Sequence, residues 1–157
     1  MYDEKFMRRA IELSAQAIST PGARPYGAVV VKDGQIVGEG FNQSGTNFDP
    51  TSHGEVEAVR DACRKLKTTD LSGTELYSSC EPCPLCVSAM MIVGIGKLYY
   101  AATLEQSGRV MPRGKVPSID VLRRESSLAP AARAMPSEQK LDGEAVAVLE
   151  AWAKKHA

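Results

Sequence analysis

Residues 74–103 read TELYSSCEPCPLCVSAMMIVGIGKLYYAAT. Residues 74–79 alternate polar and apolar like a strand, and 97–103 are a second run rich in Tyr and Ala. Between them, Pro82 suits the start of a helix that continues through Val87, Met90 and Met91 and stops at Gly94-Ile95-Gly96. A strand, a helix and a strand in that order make a crossover unit. Working upstream, residues 53–67 form a helix with Val56, Val59, Ala62, Cys63 and Leu66 on its apolar face. Residues 26–32 are a Val-rich strand, Asp33-Gly34 is a hairpin turn, and 35–41 is its partner. The Asn, Ser, Gly and Pro of 42–52 make a loop. Residues 3–19 form a first helix, with Phe6, Met7, Ala10, Leu13, Ala17 and Ile18 at helical spacing, stopped by Thr20-Pro21-Gly22. Alternating strands and helices predict an α/β fold, a sheet with helices on both faces. Downstream, a short helix is expected over 118–125 with Ser118 as its N-cap. A last helix starts near Glu138 or Glu144 and runs to Lys155, burying Val146 and Leu149, with Trp152 as a further candidate.

The chain has 157 residues, 43% of them hydrophobic and 24% charged, which suits one soluble domain spanning 1–157. Nineteen basic residues balance nineteen acidic ones, so net charge implies no general attraction to nucleic acid or membranes. No apolar run is long enough for a membrane span, and residues 1–5 lack the basic start of a signal peptide. A cytoplasmic location is the expectation. Three of the four cysteines, Cys80, Cys83 and Cys86, crowd into seven residues, a poor disulfide framework and a good metal or redox cluster.

Two short patterns each open a helix: His53-Gly54-Glu55 and Pro82-Cys83-Pro84-Leu85-Cys86. Zinc takes about four N or S ligands, and a catalytic site leaves one of those positions to water. His53, Cys83 and Cys86 supply three. Cysteines at i and i+3 share a helix face, and a helix N-terminus favours thiolate. Glu55 is then the acid/base, carrying a proton from water acidified by zinc to the substrate and on to the leaving amine. The arrangement imposes one condition. Residues i and i+2 of an ideal helix face nearly opposite ways, so His53 must sit at the non-helical edge of its first turn. Other readings stay open. His53 could be a cap, and Cys83 with Cys86 a redox pair. The cysteine run hints at an iron–sulfur motif that lacks its fourth cysteine, and Cys80 could close a structural zinc site. Cys63 is read as core.

H-x-E paired with P-C-x-x-C is the signature of the zinc nucleobase deaminases. From Tyr26 to about Thr103 the chain resembles the cytidine deaminase superfamily. Within it, the chain is similar to the branch of bacterial guanine deaminases, tRNA adenosine deaminases and fungal-type cytosine deaminases. The resemblance lies in Tyr26-Gly27-Ala28-Val29-Val30-Val31, Gly40-Phe41-Asn42, Asp49-Pro50-Thr51, His53-Gly54-Glu55-Val56 with Ala58, and Ser79-Cys80-Glu81-Pro82-Cys83-Pro84-Leu85-Cys86. It implies a three-layer α/β/α sandwich with a five-stranded mixed sheet, and a homodimer. It implies Zn2+ on His53, Cys83 and Cys86 with Glu55 as acid/base. It further implies substrate contacts from the Asn42 side chain, the Gly54 backbone amide and the Tyr26 ring. Taken without the resemblance, these three are a turn residue, a tight helix start and sheet packing.

Two departures bear on substrate. Gly54 stands where guanine and tRNA deaminases usually carry Ala, as in cytosine deaminases. The acid-rich run of guanine deaminases is here Leu104-Glu105-Gln106-Ser107-Gly108-Arg109, followed by Val110-Met111-Pro112-Arg113, with Glu105 as the candidate reader of a purine amino group. Residues 104–157 are the variable part expected to close the pocket, and Trp152 and His156 are candidates to cover it or simply to pack. The expected substrate is a small heterocyclic base, guanine or a related aminopurine first. Cytosine or an amino-triazine is the alternative, and a tRNA adenosine a further one. Six basic against two acidic residues over 108–136 keep nucleic acid in view, against the plainer reading of a solvated loop or interface.

Overall fold

The Val29-Val30-Val31 run organises the molecule. All three side chains are buried, and they alternate between two cores. Val29 and Val31, with Tyr77, pack on Phe6, Met7, Ala10 and Leu13 of the first helix, α1 (Glu4–Ala15). Ala28 and Val30, with Leu76, pack on Ala58, Val59 and Ala62 of α2 (Gly54–Leu66) and on Met90 of α3 (Pro84–Ile92). A strand covered on both faces must be apolar on both, and the unbroken valine run meets that demand. Each fully buried Val or Leu contributes about 1.5–3 kcal/mol.

In the computed structural model, which describes residues 2–111, 117–135 and 137–156, the sheet contains β1 (Arg24–Lys32), β2 (Gln35–Asn42), β3 (Glu75–Cys80) and β4 (Lys97–Ala102) in the order β2-β1-β3-β4. β1 runs antiparallel to β2 and β3, and β3 runs parallel to β4, joined by α3 as the crossover. The sheet is mixed and lies between α1 on one side and α2 with α3 on the other. The α/β class and the covered sheet therefore stand, but the expectation of five strands does not. Among the described residues there are four. The described residues past Ala102 contain no alternating β-branched run. They form helices or irregular chain, interrupted by Pro117 and Pro130.

Local chemistry sets the helix ends. Asp3 caps α1 by accepting from the Lys5 amide at 3.1 Å. The helix expected over 3–19 ends as an α-helix at Ala15 and finishes as a 3-10 turn over Gln16–Ser19. α3 starts two residues after Pro82, with Pro84 in its first turn, where a missing N–H costs nothing. Gly40 lets α2 lie directly on β2, since a Cβ there would meet the Ala58 amide nitrogen at 2.5 Å. A short helix not expected from the sequence, α4 (Leu104–Val110), follows β4 at once. Thr103 and Gln106 close a reciprocal capping box at its start.

The chain divides into two compact units, Met1–Val116 and Pro117–Ala157. The second contains α5 (Ile119–Ser127), capped by Ser118 as expected, a 3-10 turn over Pro130–Ala132, and α6 (Asp142–His156). Within it, the Ala134 amide and the Arg124 guanidinium both donate to the Glu125 carboxylate. The expected burial of α6 side chains is corrected: Val146, Leu149 and Trp152 are 48%, 68% and 64% exposed. The Trp152 ring stacks on His156 instead, with centroids 4.2 Å apart. None of the helices among the described residues is long and apolar enough to cross a membrane.

Candidate active site

α2 and α3 bring their N-termini together at the C-terminal end of β3. His53 precedes α2 with extended backbone (φ −78°, ψ 153°), and Cys83 precedes α3 in the same way (φ −76°, ψ 169°). The condition on His53 is thus met. It lies outside the helical turn, its carbonyl accepting from the Glu57 amide at 2.8 Å, while its ring and the Glu55 side chain meet the same cysteine. Cys86, one turn into α3, completes the cluster.

His53 Nδ1 lies 3.4 Å from Cys83 Sγ and 3.4 Å from Cys86 Sγ, and the two sulfurs are 3.6 Å apart. A tetrahedral zinc with Zn–S of about 2.3 Å and Zn–N of about 2.0–2.1 Å needs S···S near ~3.8 Å and S···N near ~3.5 Å. The observed spacings match to within a few tenths of an ångström. His53, Cys83 and Cys86 could together hold a metal ion, and Nδ1 is the imidazole atom that faces it. Cys80 is not part of this group. Its sulfur lies against the Thr103 carbonyl at 3.9 Å, and burial raises its thiol pKa. The structural-site reading therefore gains no fourth cysteine ligand. Cys63 packs half-buried against the α2 core, in line with its expected place.

The electrostatics suit one anionic sulfur beside a neutral thiol. Hydrogen bonding from Cys86, and then from His53, holds the Cys83 thiol far below the usual thiol range, at about 4. Cys86 moves the other way, first through Cys83 and then through burial. The Cys83 sulfur raises the His53 pKa. Both helix N-termini add positive partial charge at the same spot.

Glu55 is 5% exposed, one oxygen accepting from Ser78 Oγ at 3.1 Å and the other from Cys86 Sγ at 3.3 Å. Burial raises its pKa. Ser78 was not singled out from the sequence, although the strand period carried the signal: Leu76, Ser78 and Cys80 share a face, so Ser78 points where Leu76 points, toward α2. A buried hydroxyl there needs an acceptor, and Glu55 is that acceptor.

The remaining expected residues take distinct places. Gly54 lies under β1, where a Cβ would come within 2.4 Å of the Tyr26 carbonyl oxygen. The Tyr26 ring reaches Ser107 of α4, with its hydroxyl 2.9 Å from Ser107 Oγ. Asn42 is buried at the end of β2, paired across the hairpin with Arg24. Its carboxamide oxygen accepts from the Ser44 amide at 3.1 Å and the Ser44 hydroxyl at 2.9 Å, the turn geometry of an Asx residue. Glu105 is exposed and pairs with Arg109 one helical turn away. Arg113 and Lys115 of the basic 108–136 stretch lie outside the described residues.

Comparison with known proteins agrees with this geometry. The family described as the cytidine and deoxycytidylate deaminase zinc-binding region matches residues 1–102. Guanine deaminase of Bacillus subtilis (strain 168) is 43% identical over 102 residues, 65% of this chain and 65% of that protein's length. The tRNA-specific adenosine deaminase of Aquifex aeolicus (strain VF5) is 36% identical over 111 residues, 71% of this chain and 73% of its own. The X-ray structure of Bacillus subtilis guanine deaminase superposes with a TM-score of 0.85 at 33% identity, covering 98% of this chain and 95% of that one. With the candidate donor triad, the buried carboxylate and the match over residues 1–102 in agreement, the chain belongs to the cytidine and deoxycytidylate deaminase zinc-binding family.

Proposed function

We propose that this protein is a zinc-dependent hydrolytic deaminase of a free nucleobase, with guanine or a related aminopurine as substrate. The observation that carries the reaction type is Glu55, a carboxyl group buried in contact with a three-donor N/S cluster. Three protein donors leave a tetrahedral ion one open position, as hydrolytic sites do. Held by His53, Cys83 and Cys86, zinc would supply Lewis acidity that brings the pKa of water at that position to about 7.

The residues of the chain do the rest. Glu55 is placed to take a proton from the attacking water, give it to the ring nitrogen beside the reacting carbon, and return a proton to the departing amine. Ser78 holds the carboxylate in that orientation. In the overall step a C–O bond forms, the exocyclic C–N bond breaks, and ammonia leaves as the amino group becomes an oxo group. Asn42 has spent its oxygen on Ser44, so what it offers a base is N–H donation. The Gly54 amide lies at the first turn of α2, where helix N–H groups lack internal partners.

Guanine takes precedence because the Bacillus subtilis guanine deaminase structure corresponds over nearly the whole of both chains. A tRNA adenosine is the second reading, favoured by the Aquifex aeolicus relative. The test is ammonia release from guanine, cytosine, adenine, ammeline and an anticodon stem-loop by the zinc-loaded protein. Turnover of guanine above the others is the expected result. Preference for the stem-loop overturns the substrate, and inertness towards every compound by a protein that holds one zinc overturns the reaction.

A further inference from the structure

We propose that Tyr26 and Ser107 form a strut that fixes α4 as a wall beside the metal cluster, making Ser107 a positioning residue for the substrate. The inference rests on the deaminase reading for what the wall serves, but the strut itself is a matter of geometry.

α4 has seven residues, Leu104–Val110, with Gly108 among them. A helix this short is not stable by itself, and glycine weakens it further, so tertiary contacts must hold it. Its first turn is stitched to the loop that carries Cys83. The Leu104 amide donates to Glu81 Oε2 at 3.1 Å, and the Glu81 amide donates to the Ala102 carbonyl at 2.7 Å. Beyond that turn, the Ser107 hydroxyl meets the Tyr26 hydroxyl at 2.9 Å, across 81 residues of sequence. Leu104, Ser107 and Met111 are half-buried at helical spacing, while Glu105, Gln106, Gly108 and Arg109 are exposed, so Ser107 lies on the inward face.

The other end of the strut matters as much. The Tyr26 carbonyl oxygen rests against Gly54, the residue between the candidate ligand His53 and the candidate acid/base Glu55. One residue of β1 therefore braces the start of α2 through its backbone and α4 through its side chain, while α4 is stitched to the second ligand segment. A change in α4 position alters the space beside the cluster without touching a ligand. A phenylalanine at 26 would fill the same volume and could not make the bond, so the hydroxyl itself carries the inference.

The experiment compares zinc-loaded wild type, Tyr26→Phe, Ser107→Ala, the double variant and Ser107→Thr. Hydrogen exchange of the α4 amides should speed up by about 2- to 10-fold in each single variant, the range expected for one net hydrogen bond. The Ser107 hydroxyl also bonds the Cys80 thiol, so the double variant should be no faster than Ser107→Ala, which already removes both contacts. Amides of α2 and α3 should keep their protection. With guanine, KM should rise by a similar factor, with the loss falling on KM rather than on kcat per bound zinc. Ser107→Thr, which keeps a hydroxyl, should restore both. Unchanged α4 exchange, additive single effects or no rescue by threonine each overturn the strut. If wild type releases no ammonia from guanine, the proposed substrate fails and the exchange measurements still decide the strut.

Discussion

Replacing Gly54 by alanine adds one methyl group at the point where α2 passes under β1. That methyl carbon would lie 2.4 Å from the Tyr26 carbonyl oxygen and 3.0 Å from its carbonyl carbon, against an ordinary contact of at least 3.4 Å. The obstacle is backbone on both sides, so no flexible side chain can turn away. Relief requires α2 and β1 to separate by roughly 1 Å, the shortfall of 2.4 Å from an ordinary 3.4 Å contact. Overpacking of this kind costs about 1–3 kcal/mol, while the helix propensity gained returns at most about 1 kcal/mol. The steric term wins. Gly54→Ala is therefore expected to lower unfolding stability by about 1–2 kcal/mol. Because the displaced turn carries His53 and Glu55, it should also lower kcat/KM by up to about 10²-fold, the penalty typical of a ~1 Å misplacement. Urea unfolding, zinc content and ammonia release measured on one preparation check the three effects. Gly143→Ala in α6 is the control. Its Cβ meets nothing within 4 Å, so the same substitution there should be neutral or stabilising. Wild-type stability and turnover in Gly54→Ala would falsify the claim that this contact sets the spacing of the site.

Three further outcomes follow from the same geometry. Glu55→Gln should keep one zinc per chain and lose about 10²–10⁴-fold in kcat; turnover close to wild type moves the acid/base role elsewhere. Cys86→Ala should release zinc, measured by metal analysis after dialysis, whereas Cys80→Ala should retain it, because of these two cysteines Cys86 alone lies in the candidate donor cluster. Glu39 is bridged by the Arg9 guanidinium through contacts of 2.7 and 3.1 Å, which hold its carboxyl below its ordinary value. Since the folded-state pKa is depressed, this stabilisation is present above the ordinary carboxylate pKa and is lost as pH falls through the folded one. Glu39→Gln should then cost about 0.5–1 kcal/mol at pH 7 for this partly exposed pair. Denaturation curves of variant and wild type should converge in acid, and a gap that persists below pH ~3 contradicts the ion-pair origin.

Much of the fold was legible because local physics dictates it. The valine run at 29–31, the Asp33-Gly34 turn and the helical spacing of 56, 59 and 62 each specify their own element, and the observed strands begin and end within a residue or two of expectation. The exceptions have physical causes. α4 was missed because a seven-residue helix with a central glycine has too weak a period to read, although Thr103 and Gln106 spell its capping box. The apolar residues of α6 look like a core stripe in one dimension, yet Val146, Leu149 and Trp152 are largely exposed. A periodic pattern states which face is apolar and says nothing of whether another element lies over it.

The candidate site divides along the same line. His53, Glu55, Cys83 and Cys86 stood out as candidates from residue type and spacing, since zinc accepts few donors and two short motifs present them at helix starts. Spacing could not show that His53 stands outside the helical turn, that Cys80 turns away towards Thr103, or that Ser78 holds Glu55. Nor could it place the Tyr26 hydroxyl on Ser107 or the Tyr26 carbonyl over Gly54. Sequence by itself determined most of the elements and pointed to a candidate donor set and carboxylate, all products of short-range preference and residue chemistry. Which groups meet across 23, 28 or 81 residues depends on how the strands and helices stack, and tertiary packing decides that.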